Sequence, residues 1–188
     1  MIRLKQLLFE MTDVELKNLA RKIQSKEFKY IGAGDNGRVY QIDGEDKVFK
    51  ITTSTDEIEV ARKIQNKMTE YSTFIPVYFV GNLTEMDSNY KDVIIMANAE
   101  QLSTALKRKI DSAVDQYKSY SYEQGGEVSI FDFVDDTNKN EIDVEVLNFI
   151  DALRVDVNKL NIPDLDLDLD FKSDNIMKWN GKLVMVDW

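Results

Sequence analysis

The chain has no cysteine and no histidine among its 188 residues. Without cysteine there is no disulfide and no thiolate metal site. Without histidine there is no His-ligated zinc and no serine–histidine nucleophilic pair. Any acid–base work therefore falls to carboxylates, lysine or tyrosine. Positive charge is scarce as well: 24 Lys and Arg stand against 34 Asp and Glu, for a formal net charge of −10. That balance argues against a nucleic-acid partner, since phosphate-backbone binders present a basic face. Lys107-Arg108-Lys109 reads as the solvated face of a helix. No apolar run approaches a membrane span. Leu7-Leu8-Phe9 is too short for a secretion signal, and Glu10 and Asp13 interrupt it. The expectation is a soluble, cytoplasmic protein with no membrane partner, in a host cytoplasm if the chain is viral.

What remains is an ordinary globular composition, 43% hydrophobic, at a length that suits one domain or two small lobes. Thr12-Asp13-Val14-Glu15 has the form of a capping box. Val14, Leu16, Leu19, Ala20 and Ile23 follow at helical spacing, predicting a helix from Thr12 to about Ser25. Leu4, Leu7, Leu8 and Phe9 add apolar surface ahead of it. From Phe28 the period approaches two, predicting strands at Phe28–Ala33, Arg38–Ile42 and Lys47–Thr52, the last two joined by the Asp43-Gly44-Glu45-Asp46 turn. A helix over 56–68, capped by Ser54 or Thr55, and strands at Ile75–Val80 and Val93–Met96 come next. Leu102–Tyr117 reads as helix. Residues 118–140 read as an irregular insertion, with Ile130-Phe131-Asp132-Phe133 a short strand within it. The last helix runs over 140–160, its buried stripe formed by Val144, Leu147, Ile150, Ala152, Leu153 and Val157, and Pro163 ends it.

Three segments carry chemistry. Gly32-Ala33-Gly34-Asp35-Asn36-Gly37 is a G-x-G-x-x-G loop. A dinucleotide fingerprint would open a helix, but Arg38–Ile42 alternates like a strand. A glycine loop between strands suits a lid whose backbone donors face phosphates. In Lys47-Val48-Phe49-Lys50-Ile51, alternation puts Val48 and Lys50 on one face. If Val39 and Val48 face the same cleft, they form an apolar ceiling for an adenine ring, and Lys50 would point at its phosphates. Such a lysine needs an anionic partner. Glu57 is the first candidate and Glu59 the alternative, and helical spacing alone leaves both open. Finally, Asp170-Phe171-Lys172-Ser173-Asp174-Asn175 precedes Leu183-Val184-Met185-Val186-Asp187-Trp188. It supplies an Asp, a Lys, an Asn and a further Asp, the groups that orient a hydroxyl, neutralise a transferring phosphoryl group and hold magnesium.

In that order these segments resemble the protein-kinase-like superfamily over residues 28–188, with features of its aminoglycoside-phosphotransferase-type branch. The resemblance implies an α+β, two-lobed fold. Residues 1–27 would be an N-terminal helical extension and 28–98 an antiparallel-sheet N-lobe with one helix. Residues 99–188 would form a reduced, C-terminally short helical C-lobe. It implies ATP and Mg2+. Lys50, paired with Glu57, would hold the α- and β-phosphates, beneath the loop of Gly32, Gly34 and Gly37. Asp170 would be the catalytic base, Lys172 would meet the γ-phosphate, and Asn175 and Asp187 would bind the metal. Ile31, Val39, Val48 and Met177 would sandwich the adenine, with Met96 and the backbone near Asn98 at its edge.

The implied reaction is transfer of the γ-phosphate of ATP to a Ser or Thr hydroxyl of a protein substrate. The alternatives are a catalytically weak pseudokinase that serves a regulatory partner, and a small-molecule kinase. Two departures stand out. Asp168-Leu169 replaces the usual His-Arg before the catalytic Asp, and Asp187-Trp188 replaces Asp-Phe-Gly. The run Asp164-Leu165-Asp166-Leu167-Asp168-Leu169-Asp170 alternates strictly. If extended, it lines its carboxylates on one face, and like charges would raise the pKa of Asp170.

Overall fold

A computed structural model describes residues 11–34, 37–81, 92–126, 128–137, 141–162, 165 and 169–187. The residues read above as Leu4, Leu7, Leu8, Phe9, Asp35, Asn36, Asn140, Pro163, Asp164, Asp166, Leu167, Asp168 and Trp188 lie outside them. The described residues form a mixed α and β chain with five α-helices and seven strands. It divides into two compact units: Met1–Tyr71 with Ile75–Asn98, and Ser72–Phe74 with Ala99–Trp188.

The first unit is built on a five-stranded antiparallel sheet, ordered β1-β2-β3-β5-β4. Its strands are β1 (Phe28–Ala33), β2 (Gly37–Ile42), β3 (Lys47–Thr52), β4 (Val77–Gly81) and β5 (Asp92–Ala97). Helix α1 (Asp13–Gln24) starts at the expected capping box, Thr12 and Glu15 each satisfying the other's backbone N–H. Its Leu19 and Ile23 pack with Ile42, Phe49, Ile51, Val93 and Ile95, so α1 covers the Phe49 face of the sheet. Phe28, Tyr40 and Phe49 extend that core, Tyr40 stacked on Phe49 at 4.9 Å. Val14 was expected in the buried stripe but is exposed. Two residues before Leu16, it falls on the other side of the helix, whereas Met11 and Leu16 pack against the core.

Helix α2 (Thr55–Ile64) is capped by Ser54, whose hydroxyl accepts the Glu57 N–H at 3.2 Å. It stops short of the expected Met68. Asn66 takes a left-handed φ of 57°, and its N–H donates to Val77 C=O at 2.9 Å rather than back into the helix.

The second unit holds α3 (Thr104–Gln124), α4 (Ile130–Asp136), α5 (Val144–Leu160), a 3₁₀ turn at Ser173–Asn175, and a two-stranded hairpin of β6 (Ile176–Trp179) and β7 (Lys182–Met185). Asn180-Gly181 makes the hairpin turn, both residues at positive φ.

Within the expected insertion over 118–140, the described residues correct the sequence reading. Helix α3 continues to Gln124 and ends on Gly125 in the left-handed conformation, the usual helix stop. Ile130–Asp136 is helix, not strand. Ser129 and Asp132 form a capping box, and Ile130, Phe131, Phe133 and Val134 are buried at helical spacing. An Ile-Phe-Asp-Phe run fits either period; the cap decides it. The stripe on α5 is also rotated from the expected one. Val146, Phe149, Ile150, Leu153, Val157 and Leu160 are buried, whereas Val144 is exposed. No described helix is long and apolar enough to cross a membrane.

Because the cap makes α4, Ser129→Ala should lower the unfolding free energy by about 1 kcal/mol. Ser119→Ala, in the middle of α3, should change it by less than about 0.5 kcal/mol. Urea melts of the two variants check this. Equal stabilities would remove the capping account of α4.

Candidate functional site

In the first unit the register settles which side chains share a face. Val39 lies opposite Lys50, Gln41 opposite Val48, Val48 opposite Met96, and Lys50 opposite Ile94. Directly opposed residues of an antiparallel pair project to the same side. Val39, Val48, Lys50 and Met96 therefore form one surface, on the side away from α1. Lys50 is buried there, 4% exposed, and Glu57 of α2 is 1% exposed. Their Nζ and Oε1 are 2.5 Å apart. The choice left open by helical spacing is thus resolved in geometry. Glu57 faces Lys50, while Glu59 pairs with Lys63 one turn on, at 3.6 Å.

The glycine loop is partly described. Gly34 N–H donates to Gly37 C=O at 3.0 Å, closing the β1–β2 hairpin. A Cβ on Gly37 would stand 2.5 Å from Ile51 O and 3.1 Å from Lys50 Cε. Glycine at 37 is therefore what lets β2 start hard against β3 and the Lys50 stem. A Cβ on Gly32 would meet nothing within 4 Å. Ile31 sits where the β1–β2 register slips and is exposed. Asn98 is exposed and its N–H donates to Asp46 C=O at 2.9 Å, so that donor is already committed to β3's entry.

In the second unit, Leu169, Phe171, Ser173 and Asn175 are buried while Asp170, Lys172 and Asp174 are exposed. Alternation of apolar anchors and charged residues fixes this loop, with Phe171 packed on Phe149 at 6.3 Å between ring centres. The Lys172 ammonium pairs with Asp170 Oδ2. Asn175 Nδ2 donates to Asp170 C=O at 3.0 Å and to Asp170 Oδ2 at 3.1 Å. Asn175 C=O accepts the Val186 N–H at 2.9 Å, which brings the residue before Asp187 to the same loop. Lys107 of α3 hydrogen-bonds Asp174 at 2.6 Å. That bond and its charge hold Asp174 below the usual carboxylate range and raise Lys107. Met177, half-buried, lies opposite Val184 in the hairpin.

Most of the acidic run lies outside the described residues; within it, Leu169 N–H donates to Leu165 C=O at 3.0 Å, and both leucines are buried. Of its carboxylates only Asp170 is described, and its neighbours are Lys172 and Asn175.

Among the described residues no three carboxylates gather around one point. A magnesium ion is satisfied with few protein oxygens, the rest coming from phosphate and water. The Asn175 amide, its nitrogen turned to Asp170, and the Asp187 carboxylate fit that demand as hard oxygen donors.

Sequence reasoning missed one buried group, Asp156 on α5, which is 2% exposed. The signal was available. Asp156 falls at helical spacing on the same stripe as Leu153, Val157 and Leu160, and a charged residue there must be paired.

No protein-family model matches the chain, and no curated protein matches it. Among solved structures it is similar to a chain of the streptomycin–ATP–APH(2")-IIa ternary complex, an aminoglycoside phosphotransferase. The identity is 16%, over 94% of this chain and 70% of that one, with a TM-score of 0.33. At that identity and score the likeness decides neither fold nor function.

The Lys50–Glu57 pair yields a stability prediction. Breaking a buried ion pair strands a charge, whereas replacing both partners by apolar residues is close to neutral. Lys50→Met and Glu57→Leu should each destabilise by about 3–5 kcal/mol, and the double variant should return near wild type. Thermal and urea unfolding of the three variants measure this. A double variant as unstable as the worse single one would contradict it.

Proposed function

We propose that the chain is an ATP-dependent phosphotransferase acting on an alcohol, with a Ser or Thr hydroxyl of a protein as acceptor. The observation that supports it most is the Lys50–Glu57 pair. A lysine and a glutamate almost wholly withdrawn from water, 2.5 Å apart on the Val39–Val48 face, bring little to stability and much to the placement of one cation. That cation suits the α- and β-phosphates of a nucleotide, with the Gly32–Gly37 hairpin as lid and Val39, Val48 and Met96 against the base. On this reading Ile31, Met177 and the backbone near Asn98 border the adenine.

The residues of the second unit would serve the transfer. Asp170 accepts the proton of the acceptor hydroxyl. The acceptor oxygen then forms its bond to the γ-phosphorus, the bond from that phosphorus to the bridging oxygen breaks, and the electron pair leaves with ADP. Lys172, beside Asp170, offsets charge on the transferring group, while Asn175 holds the Asp170 carboxylate in place. Asn175 and Asp187 would hold Mg2+, which, when bound, shields the negative charge of the phosphates. Catalysis of this kind is mostly placement and charge stabilisation, so few groups suffice if their geometry is fixed.

The pseudokinase alternative loses part of one support, since within the 118–140 segment residues 118–124 and 130–136 are helical rather than irregular. Incubation with γ-labelled ATP and Mg2+ tests the proposal. Label should appear on the chain itself or on a protein acceptor, and should fall by about 10²–10⁴ in Asp170→Ala. Mg-ATP raising the melting temperature with no transfer would make it a pseudokinase. Label on a hydroxylated small molecule alone would move the acceptor to that class.

A further inference from the structure

Asp156 is used by none of the chemistry above, yet its carboxylate accepts from four donors. Its Oδ2 accepts the Thr73 N–H at 3.0 Å, the Thr73 hydroxyl at 2.9 Å and the Ser72 hydroxyl at 3.4 Å. Its Oδ1 accepts the Lys159 ammonium at 2.8 Å. A carboxylate has enough lone pairs for this set of donors; a neutral amide or hydroxyl does not. Thr73, itself 3% exposed, is thus held through both backbone and side chain.

The consequence lies one bond further on. The Thr73 carbonyl accepts the Met185 N–H at 2.7 Å, and Phe74 forms a parallel bridge with Met185. Met185 is the last residue of β7. The next N–H, that of Val186, goes to Asn175 C=O at 2.9 Å. Asp187 follows directly. The chain leaves the hairpin from two fixed points, one on the Asn175 loop and one on Thr73, and Asp156 fixes the second.

We propose that Asp156 is a positioning residue: through Thr73 it sets where β7 ends, and so where the Asp187 carboxylate stands relative to the Asn175 amide for a divalent cation. The proposal rests on the phosphotransferase reading for its cation and on the hydrogen bonds alone for its geometry. Groups that orient a metal ligand through one intermediate typically change metal affinity by about 10–100-fold when removed. A carboxylate that only stapled the core would change stability and leave the metal dependence alone.

Calorimetric titration of ATP, with and without Mg2+, into wild type, Asp156→Asn and Thr73→Val separates the two. Both variants should weaken Mg-ATP binding by about 10–100-fold while leaving metal-free ATP affinity unchanged. In parallel, hydrogen exchange of the Met185 amide should quicken, whereas that of Lys178, bonded to Glu100 on the other hairpin strand, should not. Thr73→Val keeps the buried carboxylate and serves if Asp156→Asn does not fold. Unchanged Mg2+ dependence and unchanged Met185 exchange, with only a lower melting temperature, would overturn the proposal. Should wild type bind no nucleotide in a Mg2+-dependent way, the phosphotransferase reading fails by itself. The Met185 exchange then still decides whether Asp156 holds the end of β7.

Discussion

A lysine and a glutamate buried together under a sheet are an unlikely choice for stability. Each gives up its hydration, and the attraction between them returns little more than that loss. Lys50 and Glu57 nevertheless sit on the face of the first unit opposite the apolar core, and the local structure converges on them. The β3 register puts Lys50 beside Val39 and Ile94. The Ser54 cap fixes the first turn of α2, whose third residue is Glu57. Gly37 carries no side chain where one would strike the β3 backbone and the Lys50 stem. A cation held so rigidly is worth its cost where something anionic must be met in one geometry.

The second unit follows a different logic. The charged groups of its Leu169–Asn175 loop are exposed, and their order comes from what is buried between them. Leu169, Phe171, Ser173 and Asn175 anchor one side of a loop whose other side offers Asp170, Lys172 and Asp174. The loop is then stitched to the hairpin end by Val186 and to α3 by Lys107. Preorganisation here is cheap, because the loop is set by packing and backbone bonds that the fold needs in any case.

Much of this was legible in the residues. The capping box at Thr12, the β1–β3 strands, the Asp43-Gly44-Glu45-Asp46 turn and the D-x-K-x-x-N loop each depend on short-range chemistry, and short-range chemistry is what a sequence displays. Glu57 against Glu59 was not legible, because both lie on exposed-looking turns of an amphipathic helix and only the sheet's position selects one. Ile130–Asp136 was misread because four residues of mixed apolar character fit either period, and the decisive group, Ser129, lies just before them. Asp156 was passed over inside an otherwise apolar stripe. Its partners, Ser72 and Thr73, are more than eighty residues away, a separation no local pattern spans.

The central proposal is that Lys50 of the first unit binds nucleotide phosphate and that Asp187 of the second binds Mg2+. The most direct measurement is ATP affinity, with and without Mg2+, in wild type, Lys50→Met and Asp187→Asn. Lys50→Met should weaken binding under both conditions, and Asp187→Asn should remove only the part that Mg2+ adds. Affinities indifferent to both substitutions, or an Asp187→Asn protein that keeps its full Mg2+ dependence, would contradict the account.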